Sequence, residues 1–180
     1  MNLIMNIMNR SILYMIAGVW LVSFPPSFAQ NTDVPCSGQE YHQFDFWLGN
    51  WEVYNQADTI VGYNHIVQLH DECVIQENWK SKGTYTGTSY NFYDPLSDTW
   101  NQVWIDNQGG HLILKGRYAE GKMVMESELK KSQKGISYYD RITWYNNGDG
   151  TVRQLWEMVG IDGVVLNVLF DGLYRKKNTI

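Results

Sequence analysis

From Asn50 onward the chain keeps repeating one local pattern: five to ten residues rich in Val, Ile, Thr, Tyr and Trp, then a short cluster of turn formers. Runs of this kind read as β-strands. They fall near Asn50–Asn55, Val61–His70, Val74–Lys80, Gly87–Tyr93, Thr99–Asp106, His111–Arg117, Lys122–Glu128, Ile136–Tyr145, Val152–Val159 and Val164–Arg175. The separators, among them Asp94-Pro95, Gln108-Gly109-Gly110, Glu120-Gly121, Asn147-Gly148-Asp149-Gly150 and Asp162-Gly163, hold the residues that accept a positive φ in tight hairpins. None is long enough for a crossover helix, so consecutive strands are expected to be antiparallel neighbours. About ten such strands at 8–12-residue spacing predict an all-β sandwich or barrel. Only 18% of the residues are charged and 14% are aromatic. Ordinary soluble domains carry roughly 25% charged residues, so this chain has ample apolar area to offset its ordering entropy, which excludes disorder. A net charge of −5 argues against nucleic acid, whose binding needs a basic face.

The first 29 residues read as an address. Met1 to Arg10 carry one cation and no acid, and Ser11 to Phe24 is an apolar run. That run is short of the roughly 20 residues that span a bilayer. Ser27-Phe28-Ala29 then places small residues at the two positions a signal peptidase inspects. A signal peptide cleaved after Ala29 is expected, with an uncleaved anchor as the alternative. Cys36 follows Asp33-Val34-Pro35, which does not suit a lipoprotein. The mature chain would be periplasmic or secreted, without a membrane span. Its two cysteines, Cys36 and Cys73, are expected to pair in an oxidising compartment, tying an N-terminal tail over residues 30–39 to a domain over 40–180; two buried free thiols are the alternative. Neither shows CxxC spacing, so no metal is expected. Within Glu40–Leu48, Tyr41, Phe44, Trp47 and Leu48 form an apolar stripe, and Gly49 follows as a stop. This predicts a two-turn amphipathic helix pressed onto one end of a barrel.

Alternation within the strands points to something other than a solid core. Trp100, Gln102, Trp104 and Asp106 share one face of their strand, and Val152, Gln154, Trp156 and Met158 share another. Glu77 with Trp79, and Ser89 with Asn91, repeat the mixture. Tryptophans interleaved with amides and a carboxylate describe a polar-dotted lumen, because a buried amide or carboxylate is costly unless something satisfies it.

These residues also carry a resemblance. FDFWLGNWEV (Phe44 to Val53) contains the Gly-x-Trp of the calycin superfamily of lipocalins, fatty-acid-binding proteins and nitrobindins. Over about residues 36–177 the ordered series is more specific. It runs through Cys73 with Glu77-Asn78-Trp79, then SYNFYDP, WNQVWID, Gly109-Gly110 with the following L-x-L-x-G, DRITWYNNGDGTVRQLWE and FDGLYRK. It resembles a family of exported bacterial domains of unknown function with a lipocalin-like barrel. The resemblance implies a closed up-and-down antiparallel barrel of about ten strands, with the N-terminal helix capping one end. It also implies Gly49 and Trp51 as the structural signature, with Arg175 of the last strand packed on the Trp51 ring. Nitrobindins hold haem through a His near the end of the barrel. No His follows His111 here, so no haem or other cofactor is expected.

The candidate ligand-binding set is Glu77, Trp79, Asn91, Gln102, Trp104, Arg141, Gln154 and Trp156. Glu77 and Arg141 are expected either to pair across the lumen or to leave Arg141 for an acidic ligand group. The expected function is binding of a small apolar, aromatic or sugar-like molecule. One alternative is a cofactor-free isomerase, lyase or hydrolase with Glu77 as general acid/base and Arg141 as anion stabiliser. Another is a structural or protein-interaction barrel whose polar residues satisfy one another. The histidines, His42, His65, His70 and His111, form no ligand set by parity, and no GxSxG motif is present.

Overall fold

A computed structural model describes residues 34–177; the expected leader, and the start of the tail behind it, lie outside the described residues. The strands are β1 (Gly49–Tyr54), β2 (Ile60–Leu69), β3 (Val74–Ser81), β4 (Thr86–Asp94), β5 (Thr99–Asp106), β6 (His111–Ala119), β7 (Lys122–Glu126), β8 (Lys130–Lys131), β9 (Ser137–Asn146), β10 (Val152–Gly160) and β11 (Val165–Lys176). Every pairing is antiparallel, and the order β1-β2-β3-β4-β5-β6-β7-β9-β10-β11 closes on itself through β11 and β1. The result is a ten-stranded barrel: of the sandwich or barrel that the turn spacing predicts, it is the closed form. The additional strand, β8, pairs only with the first residues of β9. Its two lysines carry no strand periodicity, which is why the sequence pattern misses it. No helix among the described residues is long and apolar enough to cross a membrane.

One end of the barrel is plugged by the segment before β1. The expected two-turn α-helix over Glu40–Leu48 is instead a pair of 3-10 turns, Gln39–His42 and Asp45–Trp47. Tyr41, Phe44 and Trp47 recur strictly every third residue, and three residues per turn is the 3-10 period, which stacks them on one face. Phe44 and Trp47 are wholly buried. The Phe44 ring stacks on Trp47 at 4.9 Å and meets the edges of Trp100 and Trp144 at 5.6 and 5.2 Å. Met123, Met125 and Leu114 complete this apolar layer.

Cys36 and Cys73 form a disulfide, with Cα atoms 5.1 Å apart. Cys73 ends a turn in which His70, Asp71 and Glu72 all take positive φ, between 52° and 71°. Three successive left-handed non-glycine residues are strained, at roughly 1–2 kcal/mol each, and the bridge clamps this turn to the tail.

The expected contact between Arg175 and Trp51 is corrected by one residue. In β11, Tyr174 and Lys176 share the inward face with Trp51 and Val53, while Arg175 stands opposite Glu52 on the outside. Its guanidinium lies 4.3 Å over the Tyr54 ring and pairs with Asp58 at 2.8 Å. Lys176 takes the place over Trp51, with Nζ 3.9 Å from the ring centroid and donating to the Leu48 carbonyl.

Candidate functional site

Above the plug the inward positions change from aliphatic to mixed, and packing opens. A cavity of about 280 Å³ is lined by Glu77, Trp79, Ser81, Tyr85, Gln102, Trp104, Leu112, Ile142, Gln154, Trp156, Leu169, Phe170 and Tyr174. Six of the eight sequence-derived candidates therefore meet in one place: Glu77, Trp79, Gln102, Trp104, Gln154 and Trp156. Side-chain parity accounts for this, because each polar candidate sits two residues from a tryptophan on the same strand face.

The indoles can lie against the wall because glycines face them. A Cβ at Gly87 would fall 2.1 Å from Trp104 Cζ2, and one at Gly62 would fall 2.5 Å from Trp79 Cη2. On the opposite side, Phe170 meets the Trp79 ring edge-on at 6.1 Å. Trp156 is held by its own Nε1, which donates to Asp140 Oδ1 at 2.8 Å. Asp140 is buried, and Lys130 of β8 neutralises it at 2.5 Å. The short extra strand thus fixes one aromatic wall of the cavity.

The floor is a hydrogen-bonded network. Asn64 Nδ2 donates to Glu77 Oε1 and Ser89 Oγ donates to Glu77 Oε2, each at 2.7 Å. Gln102 Nε2 donates to Asn91 Oδ1 at 2.7 Å, and Asn91 Nδ2 donates to Ser89 Oγ and to the Ile75 carbonyl at 3.0 and 3.1 Å. Tyr174 receives Asn64 Nδ2 at 3.3 Å and donates its hydroxyl to Gln154 Oε1. The other end of each glutamine, Gln102 Oε1 and Gln154 Nε2, makes no hydrogen bond to a described residue. Burial pushes the Glu77 carboxyl up to about 7, against the opposing pull of the Asn64 and Ser89 hydrogen bonds. Burial, reinforced by the charge of Glu77, also raises the Tyr174 hydroxyl well above its ordinary value. At the mouth, Asp106 accepts from Tyr85 at 3.0 Å. Its carboxyl is held low, first by the backbone N–H of Gln108 and then by that of Gly110.

Two candidates lie elsewhere. Asn91 is wholly buried beneath the cavity, where it positions Gln102 and Ser89 without lining the space. Arg141 is on the outer face, opposite Glu157, to which it donates from Nε and Nη2 at 3.2 and 3.0 Å. Asp140, Ile142 and Trp144 take the inward positions of β9, so Arg141 cannot reach Glu77 or a guest. The acid/base reading with Arg141 as anion stabiliser loses that member.

Several residues that line the cavity or lie beneath it are absent from the candidate set. Ser89 was legible through its alternation with Asn91 and its place opposite Glu77. Tyr174 follows from the β11 parity that also corrects Arg175. Tyr85 lies in a turn, and Leu169 and Phe170 lie beside bulges between β10 and β11, where alternation cannot assign a face. His65, His70 and His111 are exposed, and His42 bonds Asp45 at 2.9 Å near the plug. Among the described residues no three His, Cys, Asp or Glu side chains converge as a metal site would require. No family model and no curated protein sequence matches this chain.

Proposed function

We propose that this protein is an exported, calycin-like barrel that binds a small, largely apolar or aromatic molecule in its lumen. The observation that carries the reading is the 280 Å³ cavity between Trp79, Trp104, Trp156 and Phe170, set over a polar floor. An apolar protein cavity of about 150 Å³ already holds benzene, so this one has room for a fused two-ring system. A floor that served only as internal scaffolding would not need an adjoining hollow of this size, which supports binding over the purely structural alternative. The disulfide supports export, since such bonds persist in oxidising compartments. Gly49, Trp51 and a basic side chain on the Trp51 ring support the calycin-like assignment, with Lys176 in the role first given to Arg175.

Titration with the neutral fluorophore N-phenyl-1-naphthylamine tests the reading. Wild-type protein should bind it with quenching of tryptophan emission. Trp104→Ala and Trp156→Ala should weaken binding by about tenfold or more, as loss of a large aromatic contact implies, while keeping the far-UV spectrum of a folded barrel. An absence of binding by wild-type protein, to this probe and to a broad panel of ring compounds, would overturn it.

A further inference from the structure

The described residues include two buried acids, Glu77 and Asp140, and they are treated differently. Asp140 has Lys130 at 2.5 Å. Glu77, only 5% exposed, has neutral partners alone among the described residues, Asn64 and Ser89. Among the described residues, no lysine, arginine or histidine lines the cavity beside it. A desolvated carboxylate without a counter-charge is unfavourable, and it becomes favourable when a cation is supplied in good geometry.

The walls agree with the floor about the sign of that charge. Trp79, Trp104, Trp156, Tyr85 and Phe170 surround the space with π-systems, whose faces carry negative potential and attract ammonium groups while repelling anions. Gln102 Oε1 is a second acceptor at the floor, and Gln154 Nε2 is the one amide donor there without a partner among the described residues. Together these groups select a molecule with one protonated nitrogen at the deep end and a flat apolar body toward the mouth.

Resting on the lumen-binding reading above, we propose that the guest is an amine: an ammonium group seats on Glu77, and its ring system fills the space between the tryptophans. This assigns a ligand class by charge, which the apolar character of the walls does not.

Three indoles of similar size and different charge separate the possibilities by competition against N-phenyl-1-naphthylamine at pH 8: tryptamine, its neutral isostere indole-3-ethanol and the anionic indole-3-acetate. Wild-type protein should bind tryptamine at least about tenfold more tightly than indole-3-ethanol, as a desolvated ion pair with cation–π support implies, and indole-3-acetate more weakly than either. Glu77→Gln should abolish that preference while keeping indole-3-ethanol binding. The wild-type comparison stands by itself if the variant does not fold. Equal or tighter binding of indole-3-ethanol, or an unchanged preference in a folded Glu77→Gln protein, overturns the amine proposal and leaves lumen binding intact. Binding of the fluorophore with no displacement by tryptamine does the same. Failure of the fluorophore and all three indoles to bind overturns both.

Discussion

Lys176 stands directly opposite Trp51 across the β1–β11 seam, and its ammonium lies 3.9 Å from the indole centroid while donating to the Leu48 carbonyl. One contact thus joins the last strand, the first strand and the end of the plug. Partial burial lowers the pKa of this lysine, and the contact compensates that desolvation. Lys176→Met should cost about 1–2 kcal/mol, the range of a partly desolvated cation–π contact plus a charged hydrogen bond. Arg175→Met, which removes an exposed ion pair and an exposed cation–π contact with Tyr54, should cost about 1 kcal/mol or less. Urea denaturation of both variants checks the order; a larger loss for Arg175→Met would contradict the assignment.

Glu77 makes stability depend on pH in an unusual direction. The folded carboxyl holds its proton up to about pH 7, whereas its ordinary value is 4.5, so between these values the folded state is the better proton binder. Its contribution is fully present below about pH 4.5 and is lost as pH rises through 7. A shift of this size corresponds to about 3 kcal/mol. Asp94, Asp106 and Asp149 are shifted downward, so they act at lower pH and do not mask the effect. Urea midpoints should fall between pH 5 and pH 8 in wild-type protein and stay nearly level over that range in Glu77→Gln. A wild-type midpoint that rises toward pH 8 would refute the sign.

The disulfide joins residues 37 positions apart and encloses the plug, β1 and β2. Closing a loop of that length constrains the unfolded chain by about 4 kcal/mol on the chain-entropy model. Cys36→Ser should lower stability by that order, and loss of the clamp on His70–Glu72 should increase hydrogen exchange in that turn. Mass-resolved exchange on the oxidised protein and the variant measures both. A variant within about 1 kcal/mol of wild type would place the tie outside the folding core.

The boundaries of the ten barrel strands were legible to within two residues, because period-two alternation and turn chemistry are local signals that hairpin connections convert directly into neighbours. The pairing of Trp79, Trp104 and Trp156 with Glu77, Gln102 and Gln154 was legible for the same reason: two residues apart on a strand means one face. Arg141 and Arg175 were misassigned where only long-range register decides which parity faces inward. In β9 that register is set by pairing with both β7 and β10, and in β11 by the pairing with β1 that sets Lys176 opposite Trp51 and Arg175 opposite Glu52.

By itself, then, the order of residues determined an antiparallel all-β meander, an apolar plug and a set of faces carrying indoles beside amides, since each depends on spacing within a few residues. Tertiary structure alone decided that the ring closes between β1 and β11, that Lys176 rather than Arg175 covers Trp51, and that among the described residues Glu77 has no cation beside it while Asp140 has Lys130. Charges and aromatic walls are brought together by barrel closure over separations of up to about a hundred residues, and no local period records which of them meet.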